Sequence, residues 1–279
     1  MAKIIEKRQL TPVTKLFRVE APLIARAAQP GQFVIVRIRE GGERIPLSIA
    51  DYDRNSGLLT IVVQEVGVTT RLMGELEQGD EILDMVGPLG EAPEIPAQGH
   101  VVGIGGGFGA APLLCLMREL KSRGAQTTVI IGARQQDLLI LEDELREVCD
   151  TLELCTDDGS VGLKGFVTQR LQQLIDGDGP GRPDSVVAIG PMPMMRAVAE
   201  TTRQAAIPTL VSLDPLMIDG TGMCGGCRVT VAGEVKFACV DGPFFDAHLV
   251  DYDEATLRSK MYVREESISA CQQAEQGVG

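Results

Sequence analysis

Three cysteines in the last quarter of the chain stand at a spacing that suits iron. Cys224 and Cys227 form a C-x2-C pair, and Cys239 follows after eleven residues. Thiolates that hold a [2Fe–2S] cluster commonly follow C-x4-C-x2-C with a distant fourth Cys. Here the full pattern is D-x4-C-x2-C-x11-C, with Asp219 where the first thiolate would stand. Glycines at 220, 222, 225 and 226 leave the loop free to wrap a cluster and aim N–H groups at its sulfides. The competing readings are a Cys3Asp zinc knuckle or three unrelated thiols. Structural zinc favours paired Cys/His knuckles, and no second pair is present; the one nearby His is His248. The spacing and loop context favour Asp219, Cys224, Cys227 and Cys239 as ligands of a [2Fe–2S] cluster.

A second segment, Gly103-Ile104-Gly105-Gly106-Gly107-Phe108-Gly109-Ala110-Ala111-Pro112, joins an apolar strand to a helix. Glycines permit a sharp turn and close approach to a diphosphate, and a helix N-terminus supplies free N–H groups and partial positive charge. A tight structural turn is the plainer alternative; the strand–turn–helix context favours a nucleotide. The acidic residue that usually marks a ribose about 20 residues on is not evident, and the next strand ends in Gly132-Ala133-Arg134. Arg134 suits either a 2′-phosphate or a solvated loop. A third segment pairs Arg44-Ile45-Pro46-Leu47-Ser48 with Gly67-Val68-Thr69-Thr70. Arg can neutralise a diphosphate and Ser can bond a heteroaromatic ring. Alone this is a strand with a solvent-facing Arg; its weight comes from lying just ahead of a nucleotide-type domain.

These residues need elements to hold them. Residues 1–97 read as short strands punctuated by Gly, Pro and Asp: Lys3–Arg8, Leu16–Glu20, Phe33–Arg39, Arg44–Tyr52, Leu58–Val66 and Glu81–Val86. That pattern predicts a small antiparallel β-barrel, with one short helix between Thr69 and Leu76. Residues 98–212 alternate strands with helices: His100–Ile104, Ala110–Arg123, Thr127–Gly132, Leu141–Val148, Leu152–Thr156, Val167–Ile175, Ser185–Ile189 and Met192–Gln204. Thr209–Ser212 is read as the closing strand of a parallel α/β sheet. Residues 213–279 hold the cysteine loop, a hairpin over Arg228–Ala238 and a tail. The expected fold is therefore multidomain α+β: barrel, parallel α/β domain, small cluster domain.

These segments, in this order, resemble the ferredoxin–NADP⁺ reductase superfamily with a cluster domain added at the C-terminus. The similarity covers nearly the whole chain and rests on Ile45–Asp51, Gly105–Pro112, Asp157–Ser160, Gly190–Met195 and Asp219–Pro243. It is strongest to the branch containing the small (alpha) subunits of electron-bifurcating NADH-dependent ferredoxin:NADP⁺ oxidoreductases and the electron-transfer subunits of NAD-linked dihydroorotate dehydrogenases. The resemblance implies that Arg44 and Ser48 contact FAD at its diphosphate and ring, with Pro46 where the usual aromatic stands and Leu47 just before the Ser. Gly67, Thr69 and Thr70 would hold the other side of the diphosphate. Gly105, Gly106, Gly107, Gly109 and Pro112, with Asp157, Asp158, Gly190, Pro191 and Met192, would form the site for NAD(H) or NADP(H). Asp219 in place of Cys matches the bifurcating branch. The implied cofactors are FAD and a [2Fe–2S] cluster, and the implied partner is a larger flavin/iron–sulfur subunit, with ferredoxin reached through it.

The implied activity is that of an oxidoreductase subunit acting on NAD(P)H. No catalytic His or paired-carboxylate motif is present, as expected if the cofactors carry the chemistry. Rival expectations are an electron-transfer subunit for dihydroorotate dehydrogenase or for a sulfide- or polysulfide-linked reductase. A non-enzymatic rival is a nucleotide-binding regulatory module with a structural zinc knuckle. With 279 residues and a net charge of -13, the chain has no basic face for nucleic acid and none for anionic lipid. No apolar run approaches the roughly 20 residues of a membrane span, and the N-terminus, Met1-Ala2-Lys3-Ile4-Ile5-Glu6, meets a charge too early for the apolar region of a signal peptide. A cytoplasmic location follows, in which disulfides are rare. Cys115, Cys149 and Cys155 are then expected as buried small hydrophobes, and Cys271 as part of a frayed tail.

Overall fold

The computed structural model describes residues 1–95 and 98–262. The first seven strands are β1 (Ala2–Thr11), β2 (Thr14–Glu20), β3 (Phe33–Arg37), β4 (Ile45–Asp53), β5 (Leu58–Gln64), β6 (Glu81–Ile82) and β7 (Asp84–Leu89), interrupted by helices α1 (Pro22–Ala27) and α2 (Val68–Glu75). They form one antiparallel sheet in the order β6-β1-β2-β5-β4-β3-β7, the expected barrel sheet. Strand alternation divides β3 and β4 between two faces. Val34, Val36, Leu47 and Ile49 fill the barrel interior. Phe33 and Ile35 point the other way, opposite Ser48 and Pro46 in register.

The next stretch comprises β8 (His100–Gly106), α3 (Ala110–Ser122), β9 (Gln126–Ala133), α4 (Glu142–Val148), β10 (Thr151–Thr156), β11 (Leu163–Lys164), α5 (Val167–Ile175), β12 (Ser185–Ile189), α6 (Met192–Gln204) and β13 (Thr209–Ser212). The sheet order is β11-β10-β9-β8-β12-β13, with a further strand, β16 (Phe244–Asp246), outside β13. Val101, Val129 and Val187 face α3 and α4, while Val102, Ile130 and Val186 face α5 and α6. Coverage on both sides explains why these strands read as near-continuous apolar runs.

The last stretch holds the hairpin β14 (Arg228–Val231) and β15 (Glu234–Phe237), then β16 (Phe244–Asp246) and α7 (Tyr252–Arg258). Two expectations are corrected here. Thr209–Ser212 closes the parallel series as expected, but the sheet is not wholly parallel: β16 pairs antiparallel outside it. Arg44 lies just before β4 rather than inside it, because the β3–β4 ladder stops at Val36↔Ile45 and Gly41-Gly42 turns the chain. Helices α1 and α7 were not expected at all.

The three stretches share their packing. Leu16, Ala50 and Val62 of the barrel join the core under α3. Phe33 and Ile35 join the other core, which also contains Cys227, Cys239, Phe245 and Tyr252. Arg118 of α3 grips Asp51 of β4 with both guanidinium nitrogens, and Arg8 of β1 pairs with Glu144 of α4.

Candidate functional site

The parallel sheet changes direction between β8 and β12, since the chain runs outward from β8 through β9 to β10 and returns on the far side at β12. Ligands of such sheets bind at the carboxyl ends of the strands, at this switch point. The two turns that flank it are the expected ones. Gly105 and Gly106 end β8, and Gly190-Pro191 follow β12. They pack backbone to backbone: a side chain on Gly190 would meet the Gly106 Cα at 3.0 Å, and one on Gly106 would meet Pro191 Cδ at 2.8 Å.

Not every glycine here has the same reason. Gly109 is buried, and any Cβ there would strike the Ile189 carbonyl. Pro112 is buried in the first turn of α3. Gly107 differs: it is exposed, has a φ of +53°, and a Cβ would meet nothing within 4 Å. It alone of the turn's glycines opens onto free space in a left-handed conformation that favours glycine. Asp157 and Asp158 stand exposed after β10. Asp158 accepts from the Ser160 hydroxyl at 2.7 Å and its N–H at 2.9 Å, which hold its carboxyl below the usual range. Ser160 Oγ in turn accepts from the Gln136 N–H at 2.8 Å, tying this loop to the end of β9. Met192 is half-buried at the start of α6, and Arg134 is exposed.

Arg44 is exposed and forms no ion pair among the described residues. Its neighbour Glu43 accepts from Thr69 Oγ1 at 2.6 Å, which brings the Arg44 loop against the start of α2. Thr70 Oγ1 accepts the N–H groups of Gly67 at 2.9 Å and Val66 at 3.1 Å. Both hydroxyls are thus engaged within the protein. What remains for an anion is Arg44 and the first N–H groups of α2, which a helix cannot satisfy itself. Leu47 points into the barrel core, whereas Pro46 and Ser48 share the outer face with Ile35 and Phe33.

The cluster loop sits on that same face. A Cβ on Gly220 would meet Leu89 Cδ1 at 2.7 Å and Ile35 Cγ1 at 3.0 Å. The four expected ligands do not converge as one group: no set of three or more metal-binding side chains suited to a single ion occurs among the described residues. Two contacts link them, one between side chains and one through the backbone. Cys227 and Cys239 are buried with their sulfurs 3.2 Å apart. Asp219 accepts from the Cys224 N–H at 2.9 Å and the Thr221 N–H at 2.8 Å. Those N–H groups, Thr221 first, hold its carboxyl below the ordinary range. Three thiols and one carboxylate supply four ligands, the number that a two-iron cluster takes from its protein. The Gly222 N–H already donates to Cys239 Sγ at 3.2 Å. Burial, then the neighbouring Cys227 thiol, push the Cys239 thiol up, so ligation there would release a proton.

The other cysteines and His248 are accounted for separately. Cys115, Cys149 and Cys155 are buried as expected; burial pushes Cys115 up to about 12 and Cys155 to about 11. His248 Nε2 lies 2.9 Å from Thr202 Oγ1 of α6. Cys271 is outside the described residues. Asp214, just after β13, escaped the sequence reading because a lone acid carries no motif. It is exposed, although desolvation pushes its carboxyl up to about 6.

Barrel, switch-point sheet and appended cluster loop define a nicotinamide-linked electron-transfer reductase with a ferredoxin reductase-like fold. Residues 104–200 match the oxidoreductase NAD-binding domain family, and residues 214–251 match the iron–sulfur cluster binding domain of dihydroorotate dehydrogenase B. A Thermotoga maritima homologue of the dihydroorotate dehydrogenase B (NAD⁺) electron transfer subunit is 45% identical, over 96% of this chain and 93% of its own. The Desulforamulus reducens electron transfer subunit is 34% identical, over 90% and 98%. A solved NADH-dependent reduced ferredoxin–NADP oxidoreductase, described for flavin-based electron bifurcation, is 43% identical at a TM-score of 0.91, covering 98% of this chain and 97% of that one. The chain belongs to the family of dihydroorotate dehydrogenase B electron-transfer subunits and their homologues. It is an oxidoreductase subunit, and the expected cofactors, FAD, an iron–sulfur cluster and a nicotinamide nucleotide, agree with these matches. The zinc-knuckle reading gains no support. No described helix is long and apolar enough to cross a membrane.

Proposed function

We propose that this chain passes electrons between NAD(H), FAD and a [2Fe–2S] cluster as the small subunit of a cytoplasmic, heteromeric NADH-dependent ferredoxin:NADP⁺ oxidoreductase. The observation that carries the reading is the shared face: Pro46 and Ser48 lie opposite Ile35 and Phe33, whose core includes Cys227 and Cys239. A flavin exchanges an electron pair with a nicotinamide and single electrons with an iron–sulfur centre. This chain's residues bind and align. Arg44 and the α2 N-terminus would neutralise a diphosphate. Ser48 would bond a ring on the outer face of β4. The Gly107 turn, Gly190-Pro191, Met192 and Asp157-Asp158 would seat the nucleotide at the switch point. Asp219 and Cys224, with Cys227 and Cys239, would ligate the two irons.

The bifurcating branch is favoured by Asp219, which stands where the plant-type spacing has a thiolate; the identities, 43% to the NADH-dependent oxidoreductase and 45% to the T. maritima dihydroorotate homologue, do not separate the branches. A partner is supported by the rim of the cluster loop. Leu216, Ile218, Met223 and Val240 are exposed, with Ile218 against Gly226 and Val240 against Gly222. Cys224 is exposed among them. An apolar rim at an electron exit suits a flavin/iron–sulfur subunit seated over it.

The test is an anaerobic NADH titration of the purified chain, followed by visible absorbance and EPR. Flavin and cluster bands should bleach together and a [2Fe–2S] EPR signal should appear. A colourless protein, or flavin without a cluster, would overturn the reading. Isolation with a large subunit active on ferredoxin and NADP⁺, rather than dihydroorotate, would decide the branch.

A further inference from the structure

Helix α7 is docked on the cluster hairpin. Asp251 caps it, accepting from the Glu254 N–H at 2.9 Å. Tyr252 lies in the core that contains Cys227 and Cys239, and Val250 bridges Val231 of β14. In the last turn of this helix, Arg258 Nη2 donates to the Gly226 carbonyl at 3.0 Å. Gly226 lies between Cys224 and Cys227 in the C-x2-C turn. Arg258 Nε is buried and has no acceptor among the described residues. No carboxylate pairs with the guanidinium among them either; Glu254, one turn earlier, leaves its own buried Oε2 without a donor.

We propose that Arg258 is a positioning residue for the iron–sulfur cluster: it fixes the Gly226–Cys227 peptide and sets a half-buried positive charge beside the cysteine loop. This rests on the [2Fe–2S] assignment above. A trans peptide is rigid, so a carbonyl held by the guanidinium also fixes the direction of the Cys227 N–H and the path into Cys227. A cluster held by three thiolates and a carboxylate is anionic and gains one more negative charge on reduction. Hydrogen bonding and nearby charge are among the levers that set its potential. The guanidinium, whose hydrogen bond points into the cysteine loop while Glu254 one turn earlier offsets only part of its charge, favours the reduced form, and partial burial limits its screening.

The test is an EPR-monitored redox titration of the holoprotein, comparing Arg258→Gln and Arg258→Lys with wild type. Arg123→Gln, an exposed charge at the end of α3, serves as the remote control. Arg258→Gln should lower the midpoint by the equivalent of about a tenfold change in the one-electron equilibrium, about 59 mV. Arg258→Lys should recover at least half of that, and Arg123→Gln should show no shift. A wild-type midpoint in Arg258→Gln overturns the proposal, as does an equal drop in Arg123→Gln. If Arg258→Gln retains no cluster, NADH-driven flavin reduction decides. Reduction at the wild-type rate supports loop positioning; its loss shows that Arg258 merely holds the fold, and the proposal fails. Absence of cluster signals in the wild type would instead overturn the underlying assignment.

Discussion

Arg44 is an exposed cation with no ion-pair partner among the described residues, held beside a helix start that has N–H groups to spare. Its replacement should therefore cost binding rather than folding. Arg44→Ala removes one charge-assisted contact, worth roughly 1.5–3 kcal/mol. The dissociation constant for FAD, measured by reconstitution, should rise about 10- to 150-fold with an unchanged melting temperature. The ligand set makes a second residue-scale prediction. Cys224→Ala, Cys227→Ala and Cys239→Ala should each abolish the cluster's visible bands. Asp219→Cys should keep the cluster and move its EPR spectrum toward that of an all-thiolate site, while Asp219→Ala leaves it labile. His248→Gln should leave those spectra alone, because its imidazole is occupied with Thr202. Its effect should appear in acid. Burial holds the His248 pKa below 6.5, against the pull of Asp246. The unfolded state therefore binds the proton first, and stability falls as pH drops below about 6.5. His248→Gln should flatten that part of the stability–pH curve. Spectra altered by His248→Gln would reopen the question of the fourth ligand.

At the scale of elements, the turn after β8 separates two kinds of glycine that look alike in the sequence. Gly107→Ala places a side chain in open space at a φ of +53°. It should slow NADH-driven flavin reduction tenfold or more by disturbing the diphosphate seat, at a stability cost of about 1 kcal/mol. Gly109→Ala drives a Cβ into the Ile189 carbonyl, so its first effect should be a lower melting temperature. Equal effects on both readouts from both variants would show a turn that is structural only. The sequence could not make this distinction, because it depends on the backbone of β12, about 80 residues away. Other elements were legible for plain reasons. Val167–Ile175, Ser185–Ile189, Met192–Gln204 and Thr209–Ser212 have the bounds expected of them, being strongly periodic or continuously apolar and bounded by Gly or Pro. β16 was missed because three residues after Gly242-Pro243 carry no period, and they become a strand only by finding β13. α7 was missed because its apolar positions are few; a capping Asp251 ahead of Asp253 and Glu254 was the available signal. Asp219 was legible as a residue type in a spacing, but its hydrogen bonds to the loop backbone were not.

At the scale of the whole molecule, the barrel, sheet and cluster segment share two continuous cores. The spacing between β3 and the cluster loop is therefore set by packing, with Gly220 against Ile35, and not by a linker. The apolar rim around Cys224 is the surface left over by that packing. Met223, 88% exposed, is its most prominent member. Met223→Asp should weaken association with a large subunit by tenfold or more in a pull-down or by light scattering. NADH-driven reduction of the chain's own flavin should be unchanged. Undiminished association would place the partner elsewhere.

β16 belongs to the cluster segment by sequence and to the nucleotide sheet by hydrogen bonding. A sheet ending at β13 would present an unpaired ladder over Thr209–Ser212, the sort of border along which chains add to one another. The cluster segment covers that ladder, so its removal should expose it. A chain cut after Leu213 should sediment as aggregates even when supplied with FAD. One cut after Arg258 should remain monodisperse, whatever its cluster content.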